Sequence, residues 1–270
     1  MKKFKKFTKW LIVLLLVLVV TGIIAFKIYT TNYYRADLSI IENIEEVLSG
    51  KVHSYSDKNG TVFIPEKQEI KAVIVFYPGG KVEYSSYNGL MYELASRGYL
   101  CLLTRMPENL AVLKINAVDT LTAGYPDFTA KVADVDWYIA GHSLGGVAAC
   151  AHIGNNNTIA KSSSPASTSS VAQKGYTGVI LCASYPTVDL SDTDLRLLSI
   201  YGSNDKVLDM EQYEASKKLW PIDSEECVIQ GGIHSYFGSY GIQDKDGVPE
   251  ITNYEQITQT ADIIADWVSQ

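Results

Sequence analysis

Histidine is scarce in this 270-residue chain, occurring only as His53, His142, His152 and His234. Cysteine is as scarce. The spacing of Cys101, Cys150, Cys182 and Cys227 matches no zinc motif, so no metal is expected. Each cysteine lies in an apolar strand or helix pattern, which favours small buried side chains over disulfide pairing. There is no internal repeat, which argues against a solenoid or propeller. Positive charge is absent where nucleic acid would need it. The six lysines of residues 1–30 are the only charges there, and the rest of the chain carries 17 basic against 30 acidic residues, a net charge of −13. A domain so acidic has no electrostatic footprint for nucleic acid. Hydrophobic content of 47% in turn excludes a disordered chain and leaves room for one sizeable core.

Long apolar runs are also rare, with one exception. Five lysines occupy residues 1–9, and Trp10–Phe26 then run 17 residues without a charge. At about 1.5 Å per residue this run is just long enough to cross a bilayer. Lysines ahead of it predict a cytoplasmic N-terminus and an extracellular domain. The run exceeds the 7–15 residues of a signal-peptide core, and Ile23-Ile24-Ala25 makes a poor cleavage site. The layout expected is a basic N-terminus (1–9), a single-pass signal-anchor (10–28), a juxtamembrane segment (29–50) and a domain (51–270) at the cell membrane. Secretion after cleavage is the alternative.

Residues 38–49 have helical apolar spacing. Val52–Tyr55 and Thr61–Ile64 flank Asp57-Lys58-Asn59-Gly60 and predict a hairpin. Beyond it, apolar strands alternate with helices. Strands are predicted at 71–77, 99–104, 137–139, 179–183, 197–202 and 226–230. Helices are predicted at 86–97, 108–123, from 144, at 211–220 and at 253–268. This alternation predicts an α/β domain with a mainly parallel sheet. Residues 154–178 contain Asn155-Asn156-Asn157 and a serine-rich run, and are expected to form a loose loop.

One stretch carries chemistry. Asp136-Trp137-Tyr138-Ile139-Ala140 reads as a strand, Val147–His152 reads as a helix, and Gly141-His142-Ser143-Leu144-Gly145 lies between them. A strand turning directly into a helix crowds the positions two before and two after the corner, and glycine relieves both. The corner lifts the Ser143 hydroxyl clear of the sheet and aims the first N–H groups of the helix at its target.

A serine nucleophile needs a base, and the base needs an orienting acid. His53 precedes the core strands, His142 is expected to turn away from Ser143, and His152 lies nine residues along the helix. His234 remains, in a glycine-bearing loop after the last strand, at the edge where open α/β sheets bind ligands. Asp205 follows the strand before it and is the favoured acid; Asp189 and Asp209 compete, the latter as a helix cap. Leu144 N–H is one oxyanion donor. Lys81 is favoured for the second by its backbone, with Gly80 as the alternative. Tyr77, Tyr84, Tyr87, Tyr185 and Tyr236 lie on or near loops at this edge and are candidates for substrate contact, though each also fits ordinary packing.

Several segments together resemble the α/β-hydrolases, and more narrowly the bacterial fold-5 group near the dienelactone hydrolases. They are Val75–Val82 (VFYPGGKV), Arg105–Ala111 (RMPENLA), Gly141–Gly146 (GHSLGG), Ser199–Asp205 (SIYGSND) and Gly231–Gly241 (GGIHSYFGSYG). The resemblance spans roughly residues 50–270. It implies a Ser143-Asp205-His234 hydrolase without metal or organic cofactor, acting on a small acyl substrate through an acyl-enzyme. A small carboxylic ester is the first expectation. Lactone, thioester or amide cleavage, or a non-catalytic surface-binding module, are the alternatives. Two departures stand out: Ile233 where a polar residue often precedes the histidine, and the serine-rich insertion.

Overall fold

The computed structural model describes residues 2–125, 132, 134–162 and 175–270. It divides into two compact units, Met1–Tyr33 and Tyr34–Gln270. The first is essentially one helix, Lys2–Thr31. Its stretch Phe7–Thr31 has a mean hydropathy of 3.0 and is long and apolar enough to cross a bilayer.

The second unit is built on an eight-stranded sheet. Its strands are β1 (Val52–Ser56), β2 (Gly60–Pro65), β3 (Ala72–Tyr77), β4 (Tyr99–Thr104), β5 (Asp136–His142), β6 (Gly178–Cys182), β7 (Arg196–Gly202) and β8 (Ser224–Ile229). Their spatial order is β1-β2-β4-β3-β5-β6-β7-β8. β1 pairs antiparallel with β2 and β2 with β4, and all other pairings are parallel. The β1–β2 hairpin closes on Asp57, whose Oδ1 accepts the N–H groups of Asn59 (2.7 Å) and Gly60 (3.1 Å).

Strand β3 shows why the sheet is covered on both faces. Ile74 and Phe76 point into one core, with Leu90, Met91, Leu94, Ile257, Ile264 and Trp267. Val73 and Val75 point into the other, with Val118, Leu121, Ala148, Ala149 and Ile153. Side chains alternate along a strand, so a run of apolar residues supplies both layers. Helices Leu38–Val47, Asn88–Ser96 and Asn253–Val268 pack the first face, and Ala117–Thr122 and Leu144–Ser162 the second.

Several expectations shift. Helix Leu38–Val47 buries Ile41 and Ile44 within the compact unit, so the boundary expected at 51 falls inside that unit. The predicted helix 108–123 breaks up into two short 3-10 turns, Pro107–Asn109 and Ala111–Leu113, before Ala117–Thr122. Glu108 and Asn109 have φ of 54° and 53°, the left-handed region that no α-helix enters. The helix after Ser143 runs to Ser162, so residues 154–162 of the expected loop are helical; residues 163–174 lie outside the described residues. Cys101, Cys150 and Cys182 are free and buried, whereas Cys227, on edge strand β8, is only partly covered. Burial pushes the thiols of Cys150 and Cys182 up to about 12.

Candidate active site

Ser143 follows β5 and starts the next helix with φ 51°, a strained value for a residue with a side chain. A Cβ on Gly141 would approach Gly145 C and Gly146 N to 2.5 Å, and one on Gly145 would collide with the carbonyl oxygens of Tyr77 and Pro78. Both glycines are therefore required by close approach. The corner is tied to the next strand through Ser143 N–H to Cys182 O (3.0 Å) and Ser184 Oγ–H to Ser143 O (2.7 Å). Ala183, between those two partners, is itself held at φ 46°.

Asp205 and His234 follow β7 and β8. His234 Nδ1–H donates to Asp205 Oδ2 at 2.8 Å, and both side chains are buried. The other carboxylate oxygen accepts Val207 N–H and Leu208 N–H, each at 2.8 Å. The carboxylate is thus fixed from three directions, and the imidazole keeps its Nε2 lone pair free of that bond. Ser143 and His234 line one cavity of about 220 Å³ together with Leu144, Val147, Ala183, Ser184, Tyr185, Val207, Leu208 and Asp209. Among the described residues the Ser143 hydroxyl makes no hydrogen bond, and it is half-exposed.

The competing acids lie elsewhere in role. Asp209 caps helix Met210–Ser216 by accepting Gln212 N–H (3.1 Å). Asp189 is exposed and closes its own turn on Ser191. His53 pairs with Glu66 at 3.9 Å on the surface. His152 is buried beside Asn116 (2.9 Å) and Tyr176 (3.3 Å).

Lys81 requires a correction. Its N–H donates to Asn109 O at 2.8 Å and is not available to a substrate oxygen. Gly80 lies against Leu144: a Cβ there would meet Leu144 Cδ2 at 2.8 Å. Gly80 thus sits beside the Leu144 side chain and is the alternative left for the second donor. The tyrosines are corrected as well. Tyr185 lines the cavity. Tyr77 is fully buried and donates to Ile115 O (2.5 Å). Tyr84 packs under Arg105, with 5.4 Å from guanidinium to ring. Tyr236 is half-buried and outside the cavity lining. The apolar walls come instead from Leu144, Val147, Val207 and Leu208.

The supporting roles of four residues, His142, Tyr87, Asp246 and Gln256, are not evident from the sequence. The His142 ring turns under that of His234, with centroids 4.6 Å apart. Tyr87 Oη accepts Gly79 N–H (3.0 Å) and donates to His142 Nδ1 (2.8 Å), linking the glycine turn to that imidazole. Burial, and then the neighbouring His234, hold His142 well below the usual histidine range, so it stays neutral. Asp246 accepts the N–H groups of His234 (3.3 Å) and Ser235 (2.8 Å). Gln256 clamps Ile233 at both backbone groups, with Ile233 N–H to Oε1 (2.9 Å) and Nε2–H to Ile233 O (2.8 Å). The glycine elbow and the histidine loop marked the site itself, but nothing local to the motifs pointed to these supports.

Fold and site define an α/β protein with a serine raised on a strand-to-helix corner, beside a buried Asp–His pair. Among solved structures it is similar to an esterase from Pyrobaculum calidifontis, at 16% identity with a TM-score of 0.53, covering 85% of this chain and 92% of that one. At that identity the likeness speaks for the fold. No curated protein matches the sequence significantly. The sequence profile described as "Alpha/beta hydrolase family" matches residues 73–258. The chain belongs to the alpha/beta hydrolase family.

Proposed function

We propose that the protein is a serine hydrolase cleaving small carboxylic esters, anchored in the membrane with its domain on the outer side. In this reading His234 Nε2 takes the Ser143 proton as the hydroxyl attacks the acyl carbon. Asp205 stabilises the imidazolium, which then protonates the leaving alcohol. Negative charge develops on the carbonyl oxygen, and the N–H groups of Leu144 and Gly80 are the donors for it; each such donor is worth roughly 3 kcal/mol. Water, activated by the same imidazole, releases the acid from the acyl-enzyme.

The observation that carries this reading is the shared cavity. A strained, half-exposed Ser143 borders the same small space as an imidazole whose far nitrogen is fixed to a buried carboxylate. The cavity of about 220 Å³, with apolar walls, favours short acyl chains. The name of the Pyrobaculum protein, an esterase, is in keeping with this choice of substrate.

A fluorophosphonate probe and p-nitrophenyl esters of increasing chain length test it. The wild-type chain takes label and turns over the shortest esters fastest, and Ser143→Ala loses both. Equal labelling of Ser143→Ala, or none of the wild type, rejects the reading.

A further inference from the structure

We infer that Tyr34 is a positioning residue for the Ser143 site, holding the glycine turn after β3 and the loop after His234 in one frame. The inference rests on the serine-hydrolase reading above. Tyr34 is the first residue of the compact unit and directly follows the N-terminal helical unit in sequence. Its backbone forms a short parallel bridge to Val82. Tyr34 N–H donates to Lys81 O (2.8 Å) and Glu83 N–H donates to Tyr34 O (2.8 Å). Two residues on, Ala36 N–H donates to Glu83 Oε2 (3.1 Å). Residues 34–36 therefore lie as an added edge along 81–83, immediately after Gly80.

The same short segment reaches the other half of the site. Tyr34 Oη accepts Asp244 N–H (3.0 Å), and Asp37 N–H donates to Ser239 O (2.8 Å). Asp244 lies between two residues that hold the histidine loop: Gln243 N–H donates to Ser235 Oγ (2.9 Å), and Asp246 takes the N–H groups of His234 and Ser235. The Tyr34 ring packs on Tyr240 at 5.8 Å, and Tyr240 packs on Tyr87 at 6.5 Å, whose hydroxyl meets Gly79 and His142.

Two consecutive glycines give the turn after β3 no side chains with which to lock itself, and Lys81 is held at φ 58°. Its place is set by clamps on either side of Lys81: Asn109 O takes the N–H, and Tyr34 N–H takes the carbonyl. The Tyr34 ring on Tyr240 and its hydroxyl on Asp244 N–H seat that backbone clamp; without them it loosens and the Gly80 N–H drifts from the oxyanion, and small misplacements of such groups are costly in rate.

The test uses the full chain in detergent micelles, with Ser143→Ala as the inactive control. It reads turnover of p-nitrophenyl butyrate, the rate of fluorophosphonate labelling and the thermal midpoint. Assayed below its midpoint, Tyr34→Ala is expected to lose about tenfold in kcat and labelling rate with KM within about twofold. Tyr34→Phe keeps the ring on Tyr240 and recovers most of that loss. If Tyr34→Ala does not fold, Glu83→Ala, which removes the acceptor for Ala36 N–H, carries the test through a smaller fall in kcat. Wild-type kcat and labelling in the folded variants, whatever their midpoints, would reduce Tyr34 to a packing residue and overturn the inference. A wild-type chain that takes no label would instead overturn the hydrolase reading, and the inference with it.

Discussion

His142 is buried between Tyr87, His234 and Phe237, and its Nδ1 accepts the Tyr87 hydroxyl. With Nδ1 accepting, the neutral ring carries its proton on Nε2, which has no hydrogen-bond partner among the described residues, and a second proton would have to go onto Nδ1, against the Tyr87 hydroxyl, in a buried site. The folded pKa therefore lies below the unfolded value of about 6.5. Above that value both states are neutral here, and stability from this site is complete. As pH falls below it, the unfolded chain binds a proton that the folded one refuses, and stability declines until the lowered folded pKa is reached, by at most about 1.4 kcal/mol per pH unit for one such group. His152 is also lowered, chiefly by burial with Asp119 opposing, and contributes in the same direction. His142→Asn keeps an acceptor for Tyr87 and removes the titration. Between pH 7 and pH 5 its thermal midpoint is expected to fall less than that of the wild type. Parallel falls would assign the acid sensitivity to other groups.

At the scale of elements, legibility followed how local the cause was. Helix Asn253–Val268 is legible to the residue in the sequence, and the structure adds a capping box of Thr252 and Glu255 at its start. The elbow was readable because glycine spacing reports a backbone clash between residues four apart. Over residues 108–116 the apolar spacing suggests a helix, but Glu108 and Asn109 take positive φ, and the Asn109 carbonyl accepts a tertiary bond from Lys81 N–H that no local pattern announces. The same bond removed Lys81 as an oxyanion donor. The polar partner missing beside Ile233 illustrates the other failure. It is supplied by Gln256 from the closing helix, and no sequence pattern joins those two positions. Gln256 is fully buried, so Gln256→Leu preserves volume but leaves the Ile233 N–H and C=O without partners. The expected loss is on the order of 3 kcal/mol in urea unfolding, from two stranded backbone groups. A loss below about 1 kcal/mol would mean that water or a shifted backbone replaces the clamp.

Over the whole molecule, charge and apolar length argue for one arrangement. Five lysines precede the apolar run, whereas Lys27 and Arg35 are the only basic residues within the next stretch beyond it, up to residue 50. In the proposed arrangement that bias puts the N-terminus on the cytoplasmic side and the acidic domain outside. Phe7–Thr31 is 25 residues long, about 37 Å of helix at 1.5 Å per residue. This exceeds the hydrocarbon thickness of about 30 Å, a mismatch that tilt would take up in a spanning helix. None of its most apolar window is buried by protein, which is in keeping with a membrane anchor or a signal sequence. The protein is expected to remain in the membrane pellet through an alkaline carbonate wash, with Lys2 and its neighbours still present in the mature chain. Protease added to intact cells should remove the domain and spare the first residues. Release by carbonate, or a mature N-terminus beginning after Ala25, would make the run a cleaved signal. The domain would then act in solution, with Tyr34 still close to its new start.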